Sequence, residues 1–98
     1  MPTYAYTTYD ASVNPVKCYV NFEVYDANQG FLFPKQLGPY NANTFVKHGD
    51  SVYYIAYKPT NTNDKRCCVH YTYTSNGPDG KPKTYIGDPY ICGVKKEI

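Results

Sequence analysis

Apolar and polar residues alternate with a period of two along most of this chain. In residues 16–26 the apolar positions share one face, and in residues 66–75 every second position from Cys67 to Tyr73 is apolar or aromatic. A period of two is typical of β-strands with one buried face, whereas an amphipathic helix repeats every 3.6 residues. No segment shows the helical period, so the pattern predicts strands and almost no helix.

The strand-forming runs are short and regularly spaced. Stretches of Tyr, Val, Thr, Ile and Phe are separated by turn-forming clusters such as Asn14-Pro15, Gly38-Pro39, residues 48–50 and residues 76–82, and the short apolar run at residues 31–33 is expected to end at Pro34. About six to eight strands at this spacing are typical of a sandwich or a small barrel. We predict one antiparallel β-sandwich over residues 1–98, jelly-roll-like or immunoglobulin-like, with a bulge or kink at residues 87–89 and a solvated tail at residues 95–98.

Strand alternation gives each of the four cysteines a face. Cys18, Cys67 and Cys92 are expected to point inward and Cys68 outward. This predicts an internal disulfide between Cys67 and either Cys18 or Cys92. Cys68 is then left for an intermolecular bond or a free thiol. The alternative is four reduced thiols packed as small apolar groups.

Cysteine use also bears on the compartment. Small domains with several cysteines are common in oxidising compartments, which favours a secreted or cell-surface protein over a cytoplasmic one. The first residues lack the basic and apolar regions of a signal peptide. No apolar run approaches the roughly 20 residues that span a bilayer, so no membrane insertion is expected.

Tyrosine is the unusual feature of the composition. The chain has 13 tyrosines among 98 residues and no Trp, and a core of this size holds about four to six such rings. The remainder should lie outside, where tyrosine provides rigid contact area and a hydroxyl for hydrogen bonds. We expect a binding surface for a glycan or a protein, and the candidate residues are Tyr9, Tyr19, Tyr25, Tyr40 and Tyr54.

Other chemistries have weaker signals. A formal net charge of +2 is too small to predict nucleic-acid binding. Cys68 and His70 share a strand face but lack an orienting third group, so we expect no enzyme and no catalytic residue. No metal ligand set or cofactor motif is present, since Asn61, Asn63 and Asp64 form an ordinary turn sequence.

These observations favour a non-enzymatic binding module. The alternative is a self-assembling subunit of a filament, coat or crystalline inclusion, in which the tyrosines form subunit contacts and Cys68 can form an intersubunit disulfide.

A short segment near the C-terminus resembles a known family. Residues 80–91 (GKPKTYIGDPYI) are similar to the terminal strand of the AidA/PixA bacterial inclusion-body proteins, where an aromatic run leads into Asp-Pro and a β-branched residue. The resemblance covers about a dozen residues, and no site residue is assigned from it.

Overall fold

The part of the chain that the structure describes folds into eight β-strands. A computed structural model describes residues 1–59 and 65–98, and these residues contain no helix. The strands are β1 Thr3–Asp10, β2 Lys17–Asp26, β3 Gly30–Asn41, β4 Thr44–His48, β5 Ser51–Pro59, β6 Lys65–Asn76, β7 Pro82–Cys92 and β8 Lys96–Glu97. The predicted all-β class is therefore confirmed.

The strands form two antiparallel sheets of four strands each. Their orders are β3-β2-β1-β8 and β4-β5-β6-β7, which we call the first and the second sheet. The predicted single antiparallel β-sandwich is confirmed. All neighbours but β1 and β8 are consecutive in the chain, so the described strands follow a meander and not the Greek-key order of a jelly roll or an immunoglobulin domain.

The core lies between the sheets and is built from small side chains. Its fully buried members are Ala5, Cys18, Val20, Ile55, Cys67, Val69 and Ile91. A disulfide between Cys18 on β2 and Cys67 on β6 joins the two sheets. Two chain crossings also connect them, because β3 leads into β4 and β7 leads into β8.

The second disulfide corrects the prediction for Cys68. This residue does point away from the core, since its neighbour Cys67 points into it. However, Cys68 lies directly opposite Cys92 on β7, and the two are bonded. No free cysteine remains, so the expected intermolecular or free thiol at Cys68 is wrong.

Irregular pairing in β7 affects which of its residues face the core. Register shifts lie on both sides of the His70–Pro89 pair, so Tyr90 is one extra residue on β7 and residues 87–88 contain another. Each insertion reverses the alternation, and the two together leave Cys92 opposite Cys68 on the outer face. The predicted inward face of Cys92 was therefore wrong, while Tyr90 and Ile91 both pack against the core.

Two further sequence expectations need correction. Strand β3 does not end at Pro34 or Gly38-Pro39 but continues through both, with register shifts on either side. An edge strand tolerates proline because one side of it needs no ladder hydrogen bonds. The tail at residues 95–98 contains β8, which pairs with Tyr4 and Ala5 of β1.

Both disulfides bear on the compartment. Bonded cysteine pairs are typical of proteins from oxidising, extracellular environments. None of the described residues belongs to a helix that is able to cross a membrane.

Candidate functional site

The core-facing side of β6 extends beyond the region that the first sheet covers. Cys67 and Val69 are buried, but Tyr71 and Tyr73, the next two residues on the same side, are 48% and 56% exposed. Side chains two apart on a strand share a face. The exposure of Tyr71 and Tyr73 therefore marks a part of the second sheet that has no opposing layer among the described residues.

Strand β7 adds two more rings to this uncovered face. Tyr73 stacks on Tyr85, with ring centroids 5.4 Å apart and planes inclined by 20°. Tyr71 stacks on Tyr90 at 4.8 Å and 29°, and Tyr53 of β5 lies 6.3 Å from Tyr71. We call these five rings the tyrosine ladder.

The bulge in β7 places Tyr90 in the ladder. Gly87 lies beside Tyr71, and a Cβ atom at Gly87 would come within 3.2 Å of the Tyr71 carbonyl oxygen. The backbone of Gly87 therefore lies close against Tyr71, and the irregular pairing of β7 turns Tyr90 onto the core-facing side.

The ladder rings are close enough to affect one another electrostatically. Burial, followed by the proximity of Tyr71 and Tyr53, raises the pKa of the Tyr90 hydroxyl above its usual value. A raised pKa keeps the phenol neutral and able to donate a hydrogen bond at neutral pH.

Two lysines lie against the outer rings of the ladder. The ammonium group of Lys83 is 5.7 Å from the centroid of Tyr85. That of Lys96 is 5.2 Å from the centroid of Tyr90 and donates a hydrogen bond of 3.0 Å to the Tyr90 carbonyl oxygen. The two cations therefore flank the ladder, one near the tip of the β6–β7 hairpin and one near the core.

An apolar cleft between the sheets adjoins the ladder. Its volume is about 60 Å³. Tyr53 and Tyr90 belong to both the cleft and the ladder. The remaining lining residues are Val20, Phe22, Leu37, Tyr40, Val46, His48, Ile55, Val69 and Ile91.

A second, larger groove of about 320 Å³ lies where β7 crosses over to β8. Arg66 and Lys96 give it a positive charge, and Tyr90, Pro89, Cys92 and Val94 complete its lining. Tyr90 is therefore shared by the ladder, the apolar cleft and this groove.

The tyrosines chosen from the sequence do not form one surface. Tyr40 lies in β3, not in a loop, and lines the cleft. Tyr9 pairs with Cys18 and so lies on the core-facing side, where it contacts Tyr57 at 5.7 Å. Tyr19 is half-buried beside Gly38.

The other two candidates lie on the outer faces of the two sheets. Tyr54 contacts Phe45 at 5.0 Å on the second sheet. Tyr25 contacts Phe31 at 5.1 Å and Tyr4 at 6.2 Å on the first sheet. Among the five candidates, only Tyr40 contributes to the cleft, and none belongs to the ladder.

The cluster on the first sheet already has an internal partner. The Lys95 ammonium lies 3.5 Å from the centroid of Phe31 and 3.0 Å from a carboxylate oxygen of Glu23. Hydrogen bonds from Lys95 and from the Tyr6 hydroxyl lower the pKa of the Glu23 carboxyl. Because the chain's own lysine covers Phe31, this cluster is a weaker candidate for ligand binding than the ladder.

The sequence did not predict the ladder, because alternation assigns a side chain to one face of a sheet but does not show whether another layer covers that face. The alternation that places Cys67 inside also places Tyr71 and Tyr73 on the core-facing side, which agrees with the structure, and Tyr90 packs against the core as well. What the sequence did signal is the surplus of rings. All 13 tyrosines are described, and none of them is fully buried.

The residues considered for catalysis and metal binding lie in other environments. The Cys68 sulfur is bonded to Cys92, so the Cys68–His70 pair has no free thiol. The His70 ring is buried, with Nδ1 3.0 Å from the Gly87 carbonyl oxygen and Nε2 without a partner. Within residues 1–59 and 65–98 no three potential metal ligands cluster; Asn61, Asn63 and Asp64 lie outside the described residues.

Comparisons with protein-family models, with curated proteins and with solved structures find no match to this chain. The resemblance of residues 80–91 to the inclusion-body proteins therefore stays a prediction. The chemistry of the described residues is the basis for a functional proposal.

Proposed function

We propose that this protein is a non-enzymatic binding module that presents the tyrosine ladder to a glycan or a protein, in a secreted or cell-surface setting. The exposure of Tyr71 and Tyr73, 48% and 56% on the core-facing side of β6, carries the proposal. Large exposed rings on a side that would otherwise form core are costly for solubility, and such patches commonly mark binding sites.

The arrangement of the ladder supports a glycan in particular. Sugar rings bind aromatic side chains through their C–H faces, and tyrosine adds a hydroxyl for the sugar hydroxyls. The ladder follows two paired strands, so its rings form a row and not an isolated pocket. A row of aromatic rings suits an extended polymer.

A binding assay with ladder variants tests the proposal. We expect soluble polysaccharides to retard the protein in affinity electrophoresis and to change its tyrosine fluorescence, which has no Trp background. Tyr73→Ala should weaken binding by about tenfold or more, because aromatic hot spots each contribute about 2 kcal/mol.

Tyr54→Ala is the matched control, since it removes a ring from the outer face of the same sheet. Equal losses from Tyr54→Ala and Tyr73→Ala would contradict a role for the ladder. For a protein ligand, the same two variants are compared in crosslinking to the isolated partner.

A second candidate function is self-assembly through the same face. The uncovered part of the second sheet lacks an opposing layer, and a second copy of the chain is able to supply one. The intersubunit disulfide through Cys68 is excluded from this candidate because Cys68 is bonded within the chain. Sedimentation analysis over a range of protein concentrations tests it: association that Tyr73→Lys abolishes supports assembly, and a concentration-independent monomer contradicts it.

A further inference from the structure

We infer that the ligand of the tyrosine ladder is an acidic polysaccharide, with carboxylate groups that pair with Lys83 and Lys96. The inference rests on the proposed function and names the chemical class of its ligand. It follows from the two lysines that flank the ladder, because contacts between aromatic rings and a neutral sugar do not require these charges.

The paired core-facing positions of the uncovered face include a lysine and no acidic residue; the nearest carboxylates of the hairpin are Asp79 in the β6–β7 turn and Asp88 at the irregular pairing opposite Tyr71. Beyond Val69, its core-facing positions on β6 and β7 hold Tyr71, Tyr73, Ser75, Lys83 and Tyr85. Lys96 approaches the other end of the ladder through Tyr90. Neither ammonium group has a carboxylate partner in the described part of the chain.

Lys95 provides the internal contrast. It also lies over aromatic rings, but its ammonium group is paired with Glu23 at 3.0 Å. Lys83 and Lys96 lie 5.7 and 5.2 Å from the centroids of their tyrosines, and neither has an acidic partner among the residues that the structure describes. An anionic ligand would supply that partner while its sugar rings contact the tyrosines.

The groove at the β7–β8 crossing extends the positive region. Its volume of about 320 Å³ makes it large enough for one sugar unit, and Lys96 in its lining is able to pair with a charged group of that unit. Since Tyr90 belongs to both the groove and the ladder, a chain of sugars can lie along Tyr73 and Tyr71 and place an end or a branch beside Lys96.

The test compares polygalacturonate with its methyl ester, which has the same backbone but no carboxylates. We expect the wild-type chain to bind polygalacturonate, and to lose affinity when salt is raised from about 0.05 M to about 0.5 M, because salt screens exposed charges. The methyl ester should bind at least about tenfold more weakly, the equivalent of losing one charge-assisted contact.

Two double variants distinguish the effect of the lysines beside the ladder from the effect of the overall net charge. Lys83→Gln with Lys96→Gln should reduce the affinity for polygalacturonate by about tenfold or more. Lys35→Gln with Lys47→Gln removes two exposed charges from β3 and β4 and lowers the net charge equally, so it should have little effect. Circular dichroism melting of each variant confirms that it folds.

Each contrary outcome identifies what fails. If the methyl ester binds equally well, or if both lysine double variants lose affinity equally, the inference of an acidic ligand is overturned. The proposal of a module that binds its ligand through the ladder then still stands. Competition by polyglutamate as strong as by polygalacturonate overturns the assignment to a glycan. If polygalacturonate binds but Tyr73→Ala has no effect, the ladder is not the site and the proposed function fails as well.

Discussion

The hydroxyl of Thr7 on β1 links the first sheet to the second through hydrogen bonds. It donates a hydrogen bond of 2.6 Å to the Cys67 carbonyl oxygen and accepts one of 2.7 Å from the Gly93 amide. Thr7 is almost completely buried, so water does not replace these bonds when the hydroxyl is removed. Its position in the sequence gives no sign of this role, because the partners are 60 and 86 residues away.

We predict that Thr7→Val lowers the free energy of unfolding by about 2 kcal/mol, since two buried backbone groups lose their partner. Urea unfolding followed by far-UV circular dichroism measures the change. Thr74→Val, the same substitution at an exposed position of β6, should change the free energy by less than about 0.5 kcal/mol. Similar losses in the two variants would show that the Thr7 hydrogen bonds do not stabilise the fold.

Glu23 gives the fold a pH dependence with a definite sign. Hydrogen bonds from Lys95 and Tyr6 lower its pKa below the usual 4.5, so the folded state favours the carboxylate. The resulting stabilisation is complete above the unfolded-state pKa and is lost as the pH falls through the lower folded-state pKa.

Glu23→Gln should therefore be less stable than the wild type at pH 7, and the difference should disappear in acid well below pH 4.5. Urea unfolding at several pH values measures the difference. Glu97→Gln, on β8, controls for the loss of one negative charge. A difference that persists in acid would mean that the amide disrupts packing and that the carboxylate charge is not the cause.

At the scale of the strands, hydrophobic alternation predicted which segments form strands but not where their registers shift. The predicted strand at residues 16–26 and the turn at residues 48–50 agree with β2 and with the β4–β5 hairpin. Strand β3 was divided at Pro34 and Gly38 because proline and glycine usually end strands. It remains one strand since it lies at a sheet edge, which depends on the strand order and not on local sequence.

The disulfides illustrate the same limit. Alternation assigned Cys67 to the core, and its bond to Cys18 agrees with that assignment. It also placed Cys68 on the outer face, which agrees with the structure, but it placed Cys92 inside, whereas the pairing with β6 puts Cys92 opposite Cys68. The turn-forming residues at 87–89 predicted an irregularity, but the inserted residue follows from the pairing with β6.

The two disulfides should differ in their contribution to stability. Cys18–Cys67 closes a loop with a sequence separation of 49 and joins the sheets, whereas Cys68–Cys92 closes one of 24 within the second sheet. Loop-closure entropy predicts losses of about 4 and about 3.5 kcal/mol when each bond is removed. Replacing the buried Cys18 and Cys67 by Ser also places two hydroxyls in the core, which adds to the first loss.

Urea unfolding of the two double Ser variants measures these losses. We also expect no alkylation of the native protein by iodoacetamide without a reductant, as read by mass spectrometry. Free thiols in that experiment would contradict the bonding pattern, and a larger loss for the Cys68–Cys92 pair would contradict the role of Cys18–Cys67 in joining the sheets.

For the whole molecule, the surplus of tyrosine was predictable and the location of the surplus was not. The count of 13 rings exceeded what the core holds, and none of them is fully buried. Tyr71 and Tyr73 lie on the same face of β6 as the buried Cys67 and Val69. They differ only in that the first sheet does not cover them. That coverage depends on how far the two sheets overlap, a property of the assembled sandwich.

This arrangement predicts that core and ladder contribute differently to stability. Ile55→Ala removes a fully buried side chain and should lower the free energy of unfolding by about 2–5 kcal/mol. Tyr73→Thr removes a ring that is 56% exposed and makes one stacked cross-strand pair, so it should cost about 1 kcal/mol or less. Urea unfolding of both variants measures the contrast. If Tyr73→Thr destabilises the protein as strongly as Ile55→Ala, the ladder is part of the structural core, and its exposed rings no longer support a binding surface.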